Sequence, residues 1–100
     1  MIVRIWTART SADPAAYEHE FRTHVLDELG RIDGFRGAYL LRRTSAAGAE
    51  FVTLTLFDSL DDVRRFAGPD LDAAHVSPLA RAVLDDVDER VRHYTVLSAP

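Results

Sequence analysis

The chain has 100 residues, 47% of them apolar and 28% charged, with a net charge of −4. That is the composition of one ordinary globular domain over residues 1–100, able to bury about 65% of its unfolded surface but without material for a second core. The mild acidity and lack of a basic run argue against a nucleic-acid partner, no apolar run nears the roughly 20 residues that cross a bilayer, and a cytoplasmic location is expected.

The first predicted element is a strand over residues 2–9. Alternation sends Val3, Ile5 and Thr7 to one side and Ile2, Arg4, Trp6 and Ala8 to the other. Asp13-Pro14 then opens a helix, with Asp13 as N-cap acceptor and a proline at the first helical position, where its missing N–H costs nothing. Tyr17, Phe21, Val25 and Leu29 recur every four residues as the buried stripe, and Gly30 or Gly34 ends the helix. A turn over 32–35 leads to a strand over 36–44, a small flexible loop at 45–49 and a third strand over 50–57. In that strand Phe51, Thr53, Thr55 and Phe57 alternate with Val52, Leu54 and Leu56. Ser59 caps the next helix with Asp62 three residues on, Asp61 and Asp62 start it, Arg64 and Arg65 finish it, and Gly68-Pro69 stops it. Residues 70–77 have room for a short helical turn, 78–84 form a short helix opened by Pro78, 89–97 form a fourth strand, and 98–100 are a tail.

The order β-α-β-β-α-(α)-β is the ferredoxin-like split βαβ plan, an α+β fold with a four-stranded antiparallel sheet. Neither side of the first or third strand is plainly polar. Helices cover one face of such a sheet, so a second copy is expected over the other, making a homodimer.

The opening IVRIW, the strand GFRGAYLLRR, the segment FVTLTLFDSLDDVRRFAG and the closing RVRHYTV also resemble, in order and spacing, the antibiotic-biosynthesis-monooxygenase-like (ABM) family of dimeric α+β barrels over nearly the whole chain. The resemblance implies that two ferredoxin-like subunits pair their sheets face to face and that each holds a pocket between sheet and helices. Some members of that family are cofactor-independent oxygenases of polyphenolic polyketides, some oxidise quinols, and some bind and degrade haem. Function therefore has to be read residue by residue.

The chain lacks Cys, Lys, Asn and Gln, which removes thiolate and Schiff-base chemistry and leaves carboxylates, four histidines, tyrosines and hydroxyls for proton transfer. In FAGPDLDAAH the resemblance puts Phe66 and His75 where the haem-degrading members have a tryptophan and the haem-ligating histidine, and Thr7 where they have an asparagine. Haem is thus a possible ligand of a site otherwise expected to need no cofactor. Read from the residues alone, His75 is either a base whose tautomer is set by Asp72 three residues back, or a partly exposed side chain bonded to that same aspartate or simply solvated.

Cofactor-free oxygenation, as the resemblance implies it, needs an electron-rich hydroxylated aromatic or polyketide-like substrate, a base, hydrogen-bond donors and a dry aromatic box. The candidates are His75 or His24 as base, Tyr17, Tyr39 or Tyr94 as donors, Trp6, Phe51, Phe57 and Phe66 as walls, and Arg43 or its neighbour Arg42 to hold an anionic group, unless that strand-end pair is solvated or salt-bridged at a dimer rim. His24 shares a helix face with Glu20 and reaches a pocket only if that face turns to the sheet; otherwise the two are a solvated pair. His93 and Tyr94 point to opposite faces, so at most one enters a given pocket. His19 and His24 lie five apart and make no metal pair, and the carboxylates at 61–62 and 85–88 read as caps and surface. Three alternatives stand beside oxygenation: a cyclase, dehydratase or isomerase with a histidine base, a binder of haem or another planar ligand, and a dimeric domain without catalysis.

Overall fold

The computed structural model describes Met1–Pro100. Strands β1 (Ile2–Thr10), β2 (Phe35–Ser45), β3 (Gly48–Phe57), β4 (Asp86–Val87) and β5 (Arg92–Thr95) form one antiparallel sheet in the order β2-β3-β1-β4, with β5 also paired to β1. Helices α1 (Pro14–Glu20), α2 (Leu26–Gly30), α3 (Leu60–Ala67) and α4 (Pro78–Val83) pack on one face, and a π-helical stretch, Phe21–Val25, joins α1 to α2. No helix is long and apolar enough to cross a membrane.

Strand alternation decides what is buried. Ala49, Phe51, Thr53, Thr55 and Phe57 of β3 are buried under the helices, while Glu50, Val52, Leu54 and Leu56 between them are only half-buried on the far side. One core cluster gathers Ala8, Tyr17, Phe21, Phe51, Ala80 and Leu84, and a second gathers Leu29, Phe57 and Val63. The capping residues act as their types require: Asp13 accepts from the Ala15 N–H, Ser59 from the Asp62 N–H and Ser77 from the Ala80 N–H.

The structure departs from the sequence-based expectation in four places. The fourth sheet position is shared by β4 and β5 rather than filled by one strand, because residues 89–91 turn away from β1 to pair with 72–74, through the Ala73–Arg90 bridge and the Val91 N–H to Asp72 carbonyl bond. The carboxylate run at 85–88 therefore includes a strand. Residues 45–49 are not a flexible loop: the β2–β3 ladder runs to the Ser45–Gly48 pair and turns at 46–47. Gly48 is required there, since its φ is +128° and a Cβ would run into the Thr10 carbonyl oxygen. Residues 70–77 hold one hydrogen-bonded turn, closed by the Ala73 N–H to Asp70 carbonyl bond, and no helix.

The first helix holds the fourth difference, since it is not a regular α-helix throughout. At about 100° per residue, a regular helix would bring His24 and Glu28 within about 20° of Tyr17 and carry Leu29 about 120° away. The π-helical stretch takes more residues per turn and holds that rotation back. Leu29 is fully buried in consequence, and His24 is exposed.

Candidate active site

A cavity of about 310 Å³ lies between the helix-covered face of the sheet and the helices. The sheet supplies Arg4, Trp6, Thr53 and Thr55 as its floor, the long helical segment supplies Tyr17, Val25, Glu28 and Leu29, and Phe66 and the 75–78 segment close the remaining side. Trp6 is fixed by an Nε1–H bond of 2.7 Å to the Asp88 carbonyl, at the gap between β4 and β5. The Tyr17 ring stands between Trp6 and Phe51, with ring centroids 6.2 and 5.1 Å away.

His75 sits at the cavity edge with its side chain 46% exposed. Its partner is Glu28 of α2, not Asp72: Nε2 lies 2.7 Å from Oε1 and 3.2 Å from Oε2. A carboxylate accepts, so Nε2 carries the proton and Nδ1 keeps the lone pair in the neutral ring. Phe66 packs edge-on against this imidazole at 4.8 Å. Asp72 instead accepts from the Nδ1–H of His93, 3.3 Å away.

Arg4 is one of the residues the sequence did not single out for the site. It is only 4% exposed, and its Nη1 donates to the Leu71 carbonyl at 2.7 Å and lies 3.0 Å from His93 Nε2, while Nη2 donates to the Ala73 carbonyl at 2.8 Å. An arginine can only donate, so His93 Nε2 accepts and the Asp72–His93–Arg4 chain is ordered, with His93 neutral. Burial, then the Arg4 charge, hold the His93 pKa below its ordinary value against the pull of Asp72. The Arg4 guanidinium also lies over the Phe66 ring at 5.7 Å, and burial lowers its pKa to about 10, with Asp72 acting the other way.

Burial pushes the Tyr17 phenol up to about 12, Glu20 adds to the rise and the Thr53 hydroxyl opposes it, so Tyr17 stays an O–H donor at neutral pH. The two hydroxyls are near one another but make no hydrogen bond of good geometry, and Thr53 Oγ1 is buried with no partner.

Of the residues singled out in the sequence, Trp6, Tyr17, Phe66 and His75 meet in this cavity. Thr7, Tyr39, Arg43 and Tyr94 do not. Their cross-strand partners Val52, Leu54, Glu50 and Val3 place them on the opposite face of the sheet. His24 is outside as well, with Nδ1 2.5 Å from the buried Glu20 carboxylate and the ring turned to solvent. Phe51 and Phe57 are fully buried core residues rather than cavity walls. Arg4, Glu28, Thr53 and Thr55 were missed. Arg4 and the two threonines carried a signal, since each alternates in register with Trp6, Phe51 or Phe57 on the face that the helices cover. No three or more histidine or carboxylate side chains are grouped to hold a metal ion.

The architecture is the ferredoxin-like α+β fold of the solved structures it resembles. No protein-family model and no curated protein matches the chain in sequence. Among solved structures it is similar to SnoaB, a cofactor-independent oxygenase from Streptomyces nogalater, with TM-score 0.69 and 21% identity over 98% of this chain and 94% of that one. It is similar to a mutant of MhuD that holds two manganese protoporphyrin IX per active site, with TM-score 0.63 and 25% identity over 100% and 98% of the two chains. A candidate antibiotic-biosynthesis monooxygenase from Bacillus cereus has TM-score 0.62 and 16% identity over 99% and 93%.

Proposed function

We propose that the protein is a small homodimeric, cofactor-independent oxygenase-like enzyme acting on a hydroxylated aromatic or polyketide-like molecule. The observation that carries this reading is the meeting of Trp6, Tyr17, Phe66 and His75 around one cavity, with the Glu28 carboxylate behind the histidine. Nδ1 of His75 takes a proton from a phenol or an activated ring CH2, and Glu28 holds the tautomer and steadies the imidazolium that forms. The substrate anion then supplies its own electrons to O2. For a ring CH2 the balance closes without another reductant: one oxygen atom becomes the new C=O, and the other leaves as water with the two hydrogens. The likeness in fold to SnoaB supports this chemistry.

The test is incubation with a panel of anthrone- and dihydroquinone-type substrates in air and under nitrogen. Oxygen-dependent product is expected, and His75→Ala should lower kcat/KM by about 10²–10⁴-fold, the usual worth of a positioned base. Failure to form any oxygen-dependent product across the panel sinks the oxygenase reading. Turnover that persists under nitrogen and vanishes in His75→Ala supports a non-oxidative cyclase, dehydratase or isomerase, which the same dyad would serve.

A haem-binding reading draws on the likeness to MhuD, and two features of the site weigh against it. His75 Nε2 is already bonded to both Glu28 oxygens, and about 310 Å³ is small for a porphyrin. Small-molecule sites run from about 300 to 1,000 Å³. A hemin titration is expected to give no Soret shift that depends on His75.

A further inference from the structure

The proton-transfer reading uses His75 and Glu28 at the edge of the cavity and leaves its floor unexplained. Arg4 there is a buried cation without a salt bridge: its three hydrogen bonds go to two carbonyls and a neutral imidazole. Burying an unpaired charge costs several kcal/mol, and a protein of this size has little stability to spare. A guanidinium has five N–H groups, so Nε–H and one Nη2–H remain, on adjacent nitrogens along one edge of the plane, the edge that takes a carboxylate in bidentate fashion. Two other cavity residues also bring donors. Thr53, 6% exposed, has a buried hydroxyl with no partner, and Tyr17 presents a phenol that stays protonated. No carboxylate lines the cavity other than Glu28, which is already paired with His75.

We propose that Arg4 seats the carboxylate of a planar aromatic acid whose ring lies between Trp6 and Phe66, with the Thr53 and Tyr17 hydroxyls of the same cavity as further donors. This rests on the reading of the cavity as a small-molecule site. It narrows that reading from hydroxylated aromatics in general to ring systems bearing an acid group, and it fixes their orientation, acid inward and reacting position toward His75. The Asp72–His93 pair behind Arg4 is then a positioning device. It holds the guanidinium by a neutral acceptor, which keeps the Asp72 carboxylate one residue removed and leaves the guanidinium without a directly bonded anion.

Trp6 is the sole tryptophan of the chain and lines the cavity, so its emission reports on occupancy. The experiment is calorimetric titration of 2-naphthoate and of naphthalene-2-carboxamide, two probes of the same shape that differ in charge, with Trp6 emission as second readout. The wild-type protein is expected to bind the acid at least tenfold more tightly than the amide. Arg4→Met should abolish that preference and leave the amide affinity within about twofold. Because Arg4 also ties the Leu71 and Ala73 carbonyls to the sheet, its loss removes structural bonds as well, and Thr53→Val supplies an independent variant. Removing a buried hydroxyl that has no partner should leave the fold as stable or more so, while acid binding falls severalfold. Equal affinity of the wild type for acid and amide overturns the anion seat and leaves the aromatic-pocket reading standing. Binding of neither probe overturns both. An unchanged acid affinity in Thr53→Val removes Thr53 from the seat.

Discussion

At the scale of single residues, the site depends on which nitrogen of each histidine is free. His75 offers Nδ1 because Glu28 occupies Nε2, whereas His93 has both nitrogens engaged, one by Asp72 and one by Arg4. His93 also makes a pH prediction. Its folded pKa lies below the unfolded value of about 6.5, so between the two the unfolded chain binds more protons. The stability that His93 contributes is therefore complete above about pH 6.5 and is lost as the pH falls toward the folded pKa. Thermal melts from pH 8 to pH 5 should show this loss in the wild type and a flatter profile in His93→Gln; identical slopes would mean that His93 is not held neutral. Part of this chemistry was legible in the sequence, since Trp6, Tyr17, Phe66 and His75 are residue types that announce themselves. Alternation put Arg4 on the same side as Trp6, but its burial was not legible, because an arginine on a strand usually carries its charge to solvent, and only the carbonyls of residues 71 and 73, brought from far along the chain, make its burial tolerable.

At the scale of elements, the π-helical stretch decides what the first helix shows to the sheet. It brings Leu29 inward, turns His24 out and leaves Glu28 at the cavity edge beside His75. A π bulge amounts to one residue more than a regular helix needs. Deleting Thr23, which is exposed and whose only side-chain bond is a 3.5 Å contact with His19, should therefore restore regular α-helix with the apolar stripe intact. The deletion variant is expected to melt within a few degrees of the wild type by circular dichroism. Gross unfolding would show that the stretch does not hold a surplus residue. The stripe itself was readable from its four-residue spacing. The bulge that makes the spacing work was not, because it arises from packing Leu29 against Phe57 and Val63 rather than from local propensity. The division of the last strand escaped for a similar reason: residues 89–91 pair with the segment that carries His75, a contact between parts of the chain that local pattern does not connect.

At the scale of the molecule, the sheet face opposite the helices has no cover in the single chain. Val3, Ile5, Val52, Leu54 and Leu56 are half-buried there, and Leu41, Tyr39 and Tyr94 are 46%, 60% and 51% exposed. A contiguous apolar face of this kind is unusual on a monomer, and a second copy laid on it would give Thr7, Tyr39 and Tyr94 an interface setting in place of the pocket setting expected from sequence. Sedimentation should give twice the chain mass for the wild type and the single-chain mass for Leu41→Lys, whose side chain is exposed enough not to disturb folding. A monomeric wild type would count against the dimer.

The sequence by itself determined the element order, the caps, the core stripe and the split βαβ plan, because these follow from periodicity and from side chains acting on their own backbone. Tertiary structure alone decided which face of the sheet became the cavity, that His75 would pair with Glu28 rather than Asp72, and that Arg4 would lie buried without a carboxylate. Those outcomes depend on contacts between residues 47 to 89 positions apart, and a sequence pattern with a period of two or four carries no information at that range.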